Sequence, residues 1–406
     1  GSAAIMSPPV NKPARIIRNR AAGAEIRLAA PYSEQALTAL AARFGSPLLF
    51  IDCNVIRRQY RALASALPGV DLHYALKPLP DVNVVKVLAG EGAWFDLATN
   101  GEVDLVRAAG IAPGRCIHTH PIKRDLDIRK ALEFGVTIFV VDNPDEIAKF
   151  TPYRDRARLL LRVAYRSTDA QVDLSRKFGC DPEAALALAA TAARAGVAVT
   201  GLTFHVGSQV GSADAHVRAI EICGRLIAEV AGRGLPPLSV LDIGGGFPID
   251  YLQQAPAIEQ FCAPIRAALA ALPREVRVIA EPGRYICGPA GFCLTTVMGR
   301  SMRDGRWWYY LDDGMYGSFS GQLYDHSRYP VEPVRPHTGP RLPCVLAGPT
   351  CDSIDVIAED IPMPELMDGD LLIGRQMGAY TSATATDFNF FPRAHVLVVN
   401  VTPDGD

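Results

Sequence analysis

A chain of 406 residues is too long for one small domain and predicts two, or a large one with an addition. At 49% hydrophobic and 21% charged it can bury a sizeable core. A formal net charge of -2 gives no basic footprint for nucleic acid and no polybasic membrane patch.

Gly1-Ser2-Ala3-Ala4-Ile5 reads as a cloning remnant ahead of a native Met6, not as a signal peptide. Residues 7–45 are rich in Pro and Ala, with a helix expected over Ser33–Phe44 and stopped by Gly45. Leu48–Asp52 is a first short strand. A regular alternation follows, with apolar strands at Leu72–Leu76, Trp94–Ala98, Cys116–Thr119, Thr137–Val141, Leu159–Val163, Leu202–Val206, Val240–Ile243 and Val276–Ala280. Helix-patterned segments such as Val82–Glu91, Glu102–Ala109, Pro182–Ala195, Ala213–Arg233 and Ile258–Leu272 separate them. Eight such units predict a parallel (β/α)8 barrel of the TIM type, with a doubly wound open sheet as the main alternative.

From about Ala290 the rhythm changes to strands at Gly291–Gly299, Trp307–Asp312, Pro343–Gly348, Asp370–Gly374 and His395–Val401, with little helix between. The expected organisation is an N-terminal segment over 1–45 packing on the β domain, a barrel over 46–289, and an all-β sandwich or barrel over 290–406. No apolar run approaches the ~20 residues of a membrane helix. Nine scattered cysteines, with no CxxC pair, speak against structural zinc and suit reduced thiols of a cytoplasmic enzyme.

Lys77 ends the apolar strand of Leu72-His73-Tyr74-Ala75-Leu76, and Pro78 stops it. Such a lysine either snorkels to solvent or serves as an amine that attacks a carbonyl. Asp96, His120, Asp142, Arg162, His205, Gly244-Gly245-Gly246 and Glu281 stand at the ends of the other strands, and that rim is where a barrel enzyme builds its site. Gly244-Gly245-Gly246-Phe247-Pro248 and Glu281-Pro282-Gly283-Arg284-Tyr285 follow adjacent strands. Singly each is a tight turn; together they suggest a phosphate cradle, although no nucleotide fingerprint is present. A cradle, a lysine and a carboxylate at one mouth fit pyridoxal 5′-phosphate. Lys77 would hold its aldehyde as a Schiff base and Glu281 would face its ring nitrogen. His205 would lie against the ring and Ser208 would reach the phosphate, unless His205 is a plain structural hydrogen-bonder.

The chain resembles the fold-type III pyridoxal-phosphate decarboxylases, on Tyr74–Lys77, Phe95–Ala98 with Glu102, Leu174–Gly179, His205–Ser208, Gly244–Pro248, Glu281–Tyr285, Gly348–Asp352 and Gly378–Thr381. Within that family it is most similar to the ornithine decarboxylases, through Asp312–Phe319, Tyr324-Asp325-His326 and Cys351-Asp352-Ser353. The resemblance implies decarboxylation of a basic diamino acid, L-ornithine to putrescine in polyamine synthesis. It also implies a homodimer whose active sites are shared across the interface. Asp96, Arg162, Gly283 and Tyr380 join the cofactor contacts, and Tyr324, Asp325, Asp352 and Phe388 the substrate contacts. Cys351, Asp352 and Tyr380 are expected from the neighbouring subunit, with Cys351 as proton donor and Asp352 and Asp325 as distal-amine ligands. Without the resemblance Cys351 is a buried thiol and Tyr380 a packing aromatic. Two departures bear on substrate: Tyr74-Ala75-Leu76-Lys77-Pro78-Leu79 where the family has Tyr-Ala-Val-Lys-(Cys/Ala)-Asn, and Phe390 where it has glycine. The alternatives are lysine, diaminopimelate or an N-acylated diamino acid as substrate, a racemase, or a non-catalytic homologue. Glu281 argues against the racemases, which place an arginine at the ring nitrogen.

Overall fold

The computed structural model describes residues 25–165 and 176–404. Leu174 and Ser175 of the Leu174–Gly179 motif lie outside them, as does the sequence before Glu25. Strand β1, Leu48–Asp52, is followed by eight strands that close into a parallel barrel. These are β2 (Asp71–Ala75), β3 (Trp94–Leu97), β4 (Cys116–His118), β5 (Ile138–Val141), β6 (Arg158–Val163), β7 (Ala198–Phe204), β8 (Val240–Asp242) and β9 (Arg277–Ala280). β2 pairs with β9 and closes the ring, which excludes the open doubly wound sheet.

Alternation along the strands decides what fills the barrel. Ile117, Val140, Leu160 and Ile279, from four different strands, form one small interior cluster. Their neighbours Cys116, Phe139, Leu159, Leu161 and Ala280 belong instead to the large core shared with the helices. Gly201 on β7 gives Leu160 its room, because a Cβ there would sit 2.9 Å from Leu160 Cδ2 and 2.7 Å from Val240 Cβ.

The remaining strands are β10 (Gly291–Arg303), β11 (Arg306–Leu311), β12 (Val331–Pro333), β13 (Leu342–Ala347), β14 (Val356–Met363), β15 (Leu371–Gly374) and β16 (His395–Val399). They form a largely β C-terminal sheet ordered β12-β15-β10-β11-β13-β14. β1 joins this sheet, antiparallel to β10 and parallel to β16. The barrel therefore begins after Asp52 rather than at residue 46, since an apolar five-residue strand does not carry in its own sequence which sheet it enters. Asp52 sits at the junction. It caps the helix Cys53–Ala66 through Asn54 N–H at 2.9 Å and accepts from Asn400 at 2.9 Å and Tyr32 at 2.6 Å. The helix Glu34–Phe44, capped by Ser33, buries Leu37 and Leu40 with Ile26 and Leu28 against Phe50, Phe292 and Leu397.

Two sheet-borne segments rest on the barrel's C-terminal mouth. The backbone of Tyr380 donates to the Pro78 carbonyl at 3.0 Å. The short helix Gly321–Tyr324 delivers Asp325 to Arg284.

Candidate active site

β5, β7 and β9 stop immediately before Asp142, His205 and Glu281, whereas Asp96 and Arg162 lie inside β3 and β6, next to their last residues. Tyr74 anchors the turn after β2 by donating its hydroxyl to Leu79 O at 2.8 Å, and Lys77 emerges from that turn. Lys77 is exposed, but into the mouth: it lines a cavity of about 290 Å³ and its Nζ stands 5.8 Å from the centroid of the Tyr380 ring. Asp96, Arg162, His205, Ser208, Gly245, Gly246, Glu281, Gly283, Arg284 and Tyr380 line the same cavity. These eleven expected residues, Lys77 included, converge on one space together with His120 of the expected rim, whereas Asp142 does not line it.

Glu281 is nearly fully buried on the cavity wall, and neither of its carboxyl oxygens has a hydrogen-bond partner among the described residues. Burial raises its pKa well above the ordinary carboxylate value, and the neighbouring Asp96 adds to the rise. Burial lifts Asp96 to about 6, although the Thr119 hydroxyl donates to it. Asp242, behind Glu281, is raised well above its ordinary value by burial and by Glu281. Three crowded carboxyls cannot all stay ionised, so the cluster holds protons that an adjacent cation would release. His205 Nε2 lies 3.2 Å from Glu281 Oε2, but burial, with Arg162 nearby, depresses the imidazole to about 3. The contact is therefore not an ion pair, and the ring presents a neutral face. Arg162, buried with its guanidinium 5.4 Å from the Phe178 ring, is the cation that tempers the acids.

Next to Glu281 the wall is backbone. Gly244 and Gly246 have φ of +68° and +86°, a region that side chains disfavour. A Cβ on Gly245, Gly246 or Gly283 would come 2.8 Å from Glu281 O, Gly207 O or Pro78 Cγ respectively. Gly244 shapes the turn without lining the cavity. Arg284 stands beside this cradle and donates to Ser208 Oγ and to the Tyr251 hydroxyl, both at 2.6 Å. A glycine cradle with a buried arginine fits a phosphate, and the buried, unpaired carboxyl of Glu281 fits a protonated pyridine nitrogen. With a lysine on the same cavity, the residues present fit pyridoxal 5′-phosphate.

The residues expected on the substrate side divide. Asp325 is buried and bonded to Arg284. Cys351 and Phe388 are exposed, Asp352 is half-buried, and Tyr324 is 56% exposed; none of these lines the cavity. Asp352 accepts from the Tyr316 hydroxyl, and the Phe388 ring stacks on Tyr316 at 4.3 Å, so these residues form a separate surface patch. Tyr380 corrects an expectation. It lines the cavity of its own chain, because its backbone is tied to Pro78, and need not come from a neighbour.

Sequence reasoning missed Thr119, Asp242 and Tyr251. An aspartate inside the apolar run Val240-Leu241-Asp242-Ile243 was the available signal. Tyr251 carries none, since it reaches Arg284 only through the fold.

The chain matches the family model for the pyridoxal-binding domain of pyridoxal-dependent decarboxylases over residues 53–288. It is 36% identical over 379 residues to the lysine/ornithine decarboxylase of Selenomonas ruminantium, covering 92% of this chain and 94% of that protein. Among solved structures, it is 54% identical to the lysine/ornithine decarboxylase of Vibrio vulnificus complexed with putrescine, at a TM-score of 0.87. That likeness covers 92% of this chain and all of the other. The complex of that enzyme with cadaverine gives the same identity and TM-score over 91% and 97% of the two chains. This likeness runs nearly end to end and falls on a cavity built for the same cofactor: the chain belongs to the fold-type III pyridoxal-phosphate-dependent ornithine/lysine decarboxylase family.

Proposed function

We propose that the chain decarboxylates free diamino acids, L-ornithine to putrescine and, as a second substrate, L-lysine to cadaverine. The observation that carries this reading is Asp325, a buried carboxylate directly behind the cavity wall at Arg284. A carboxylate there suits a substrate's distal ammonium, whereas a distal carboxylate would want an arginine. The two diamines held by the Vibrio vulnificus relative support admitting both chain lengths. One methylene changes binding by only ~1–3 kcal/mol, which leaves room for both.

Lys77 would hold the cofactor's aldehyde carbon, Gly245, Gly246, Ser208 and Arg284 its phosphate, and Glu281 its ring nitrogen. When bound, the cofactor supplies the sink for the electron pair that departing CO2 leaves behind. Glu281, with Asp96 and Asp242 beside it, keeps a proton available at the ring nitrogen's side of the cavity. Neutral His205 packs without competing for that proton. Cys351 of a second copy delivers the proton that replaces CO2 on the α-carbon, and Asp352 of that copy helps Asp325 hold the distal amine. The exposure of Cys351, Phe388 and Phe390 on one protomer supports a homodimer with shared sites. Nine unpaired thiols support a reducing, cytoplasmic setting.

The test is mass spectrometry of the amines formed by the cofactor-loaded protein from ornithine, lysine, arginine, diaminopimelate and an N-acylated ornithine. Putrescine and cadaverine should appear. Product from the acylated ornithine alone would overturn the free-amine reading.

A further inference from the structure

In this structure the group expected to grip the cofactor's phosphate and the group expected to grip the substrate's distal amine are bonded to each other. Arg284 Nη2 donates to Asp325 Oδ1 at 2.6 Å, and Nη1 lies 2.5 Å from Oδ2. This is the two-pronged pairing that a planar guanidinium makes with a carboxylate. Both residues are 6% exposed. The rest of the guanidinium faces Ser208 Oγ at 2.6 Å, the Tyr251 hydroxyl at 2.6 Å and Ser327 Oγ at 3.5 Å, while Nε has no acceptor among the described residues. Asp325 accepts one more bond, from Ser327 at 3.0 Å. Arg284 lies on the cavity wall and Asp325 does not, so the arginine stands between the cavity and the carboxylate.

Breaking a buried ion pair by giving one partner away leaves the other charge uncompensated, which is costly. An anion that takes both prongs of Arg284 strands Asp325 unless a cation arrives. An ammonium that takes Asp325 strands Arg284 unless an anion arrives. Each ligand therefore removes the penalty that the other would face.

We propose that Arg284 and Asp325 form one shared ion pair linking the two sites, so that an anion at Arg284 and an ammonium at Asp325 bind cooperatively. Asp325 thereby competes with an anion for Arg284 until an ammonium takes the carboxylate. This rests on the roles given above to the two side chains. The coupling is reciprocal: each ligand strengthens the other by the same factor. A consequence is that the carboxylate is released for substrate more readily when the cradle is filled.

The experiment titrates inorganic phosphate by calorimetry into the full chain freed of cofactor, with and without saturating 1,4-diaminobutane. Phosphate does not react with the diamine, so the readout is binding alone. The diamine should tighten phosphate about 5- to 150-fold, the usual span of coupling between sites, and phosphate should tighten the diamine equally. In Asp325→Asn, phosphate should bind more tightly than to the wild type and no longer respond to the diamine. Phosphate and diamine that bind the wild type with independent affinities overturn the linkage and leave the two site assignments standing. Phosphate binding unaltered by Arg284→Met, or diamine binding unaltered by Asp325→Asn, overturns the assignments themselves. The linkage is read on the wild type, so the result stands whether or not either variant folds.

Discussion

The barrel mouth and the loops at the outer edge of the C-terminal region hold candidate functional side chains under opposite conditions. At the mouth, acids, arginines, histidines and tyrosines line one cavity, where burial raises the acids and depresses His205. At that outer edge a thiol and two phenylalanines are exposed and a carboxylate is half-buried. The mouth can position a cofactor with one chain's residues. The edge can act only on something brought against it. On the proposed reading, cofactor chemistry and substrate completion are separate constructions and should fail separately.

The largest expected effect breaks the mouth. Lys77→Ala should lower turnover by about 10³-fold or more and abolish the visible absorption band of the loaded protein. The protomer should stay folded, because Lys77 is exposed and lines the cavity rather than the core. An active Lys77→Ala variant would remove the lysine from the mechanism.

The next effect breaks the edge. Phe390 is 96% exposed and has φ of +56°, a conformation that disfavours a side chain, beside Asn389 at +60°. A strained backbone holding a large aromatic in solvent is explained if a second copy buries the ring. Full burial of such a side chain is worth about 1.5–3 kcal/mol. Phe390→Ala should therefore weaken the dimer by about 10- to 100-fold for each ring removed from the interface, as measured by analytical ultracentrifugation. Cofactor absorbance should be unchanged. An unaltered dimer constant would show that this face is not the interface.

The same contrast explains what was legible in the sequence. Parallel strands buried on both faces leave near-continuous apolar runs, so all eight barrel strands could be read, with their ends displaced by a few residues. Strand ends are local features, and Lys77, Asp96, His205 and Glu281 could be found by position alone. The strands at Val331–Pro333 and Val356–Met363 escaped because they lie at the two edges of the sheet order, where Glu359, Asp360 and Pro362 are tolerated. Which chain supplies Tyr380, and which sheet takes Leu48–Asp52, are matters of contacts hundreds of residues apart. No local pattern encodes those.

The smallest effect separates barrel from sheet through acid. Burial depresses His73 to about 4 and His118 to about 3, whereas His326 and His395 of the sheet region are exposed. Both ring nitrogens of His118 lack partners among the described residues, and its ring packs 5.7 Å from Phe139 on the helix-facing side of the barrel. Unfolding returns each imidazole to a pKa near 6.5, so below that pH the unfolded chain binds more protons than the folded one. Stability is therefore unaffected by these groups above about 6.5 and falls as the pH drops from there toward the folded values. Between about pH 6.5 and pH 5 the loss is on the order of 1–2 kcal/mol per histidine. Hydrogen exchange measured by segment at about pH 7 and pH 5, corrected for intrinsic rates, should show protection disappearing from the barrel before the sheet. His118→Leu should flatten that pH dependence. It should also hold or raise stability at about pH 7, because the unpaired ring nitrogens already cost free energy there. Equal acid sensitivity of barrel and sheet, or an undiminished pH slope in His118→Leu, would refute the assignment.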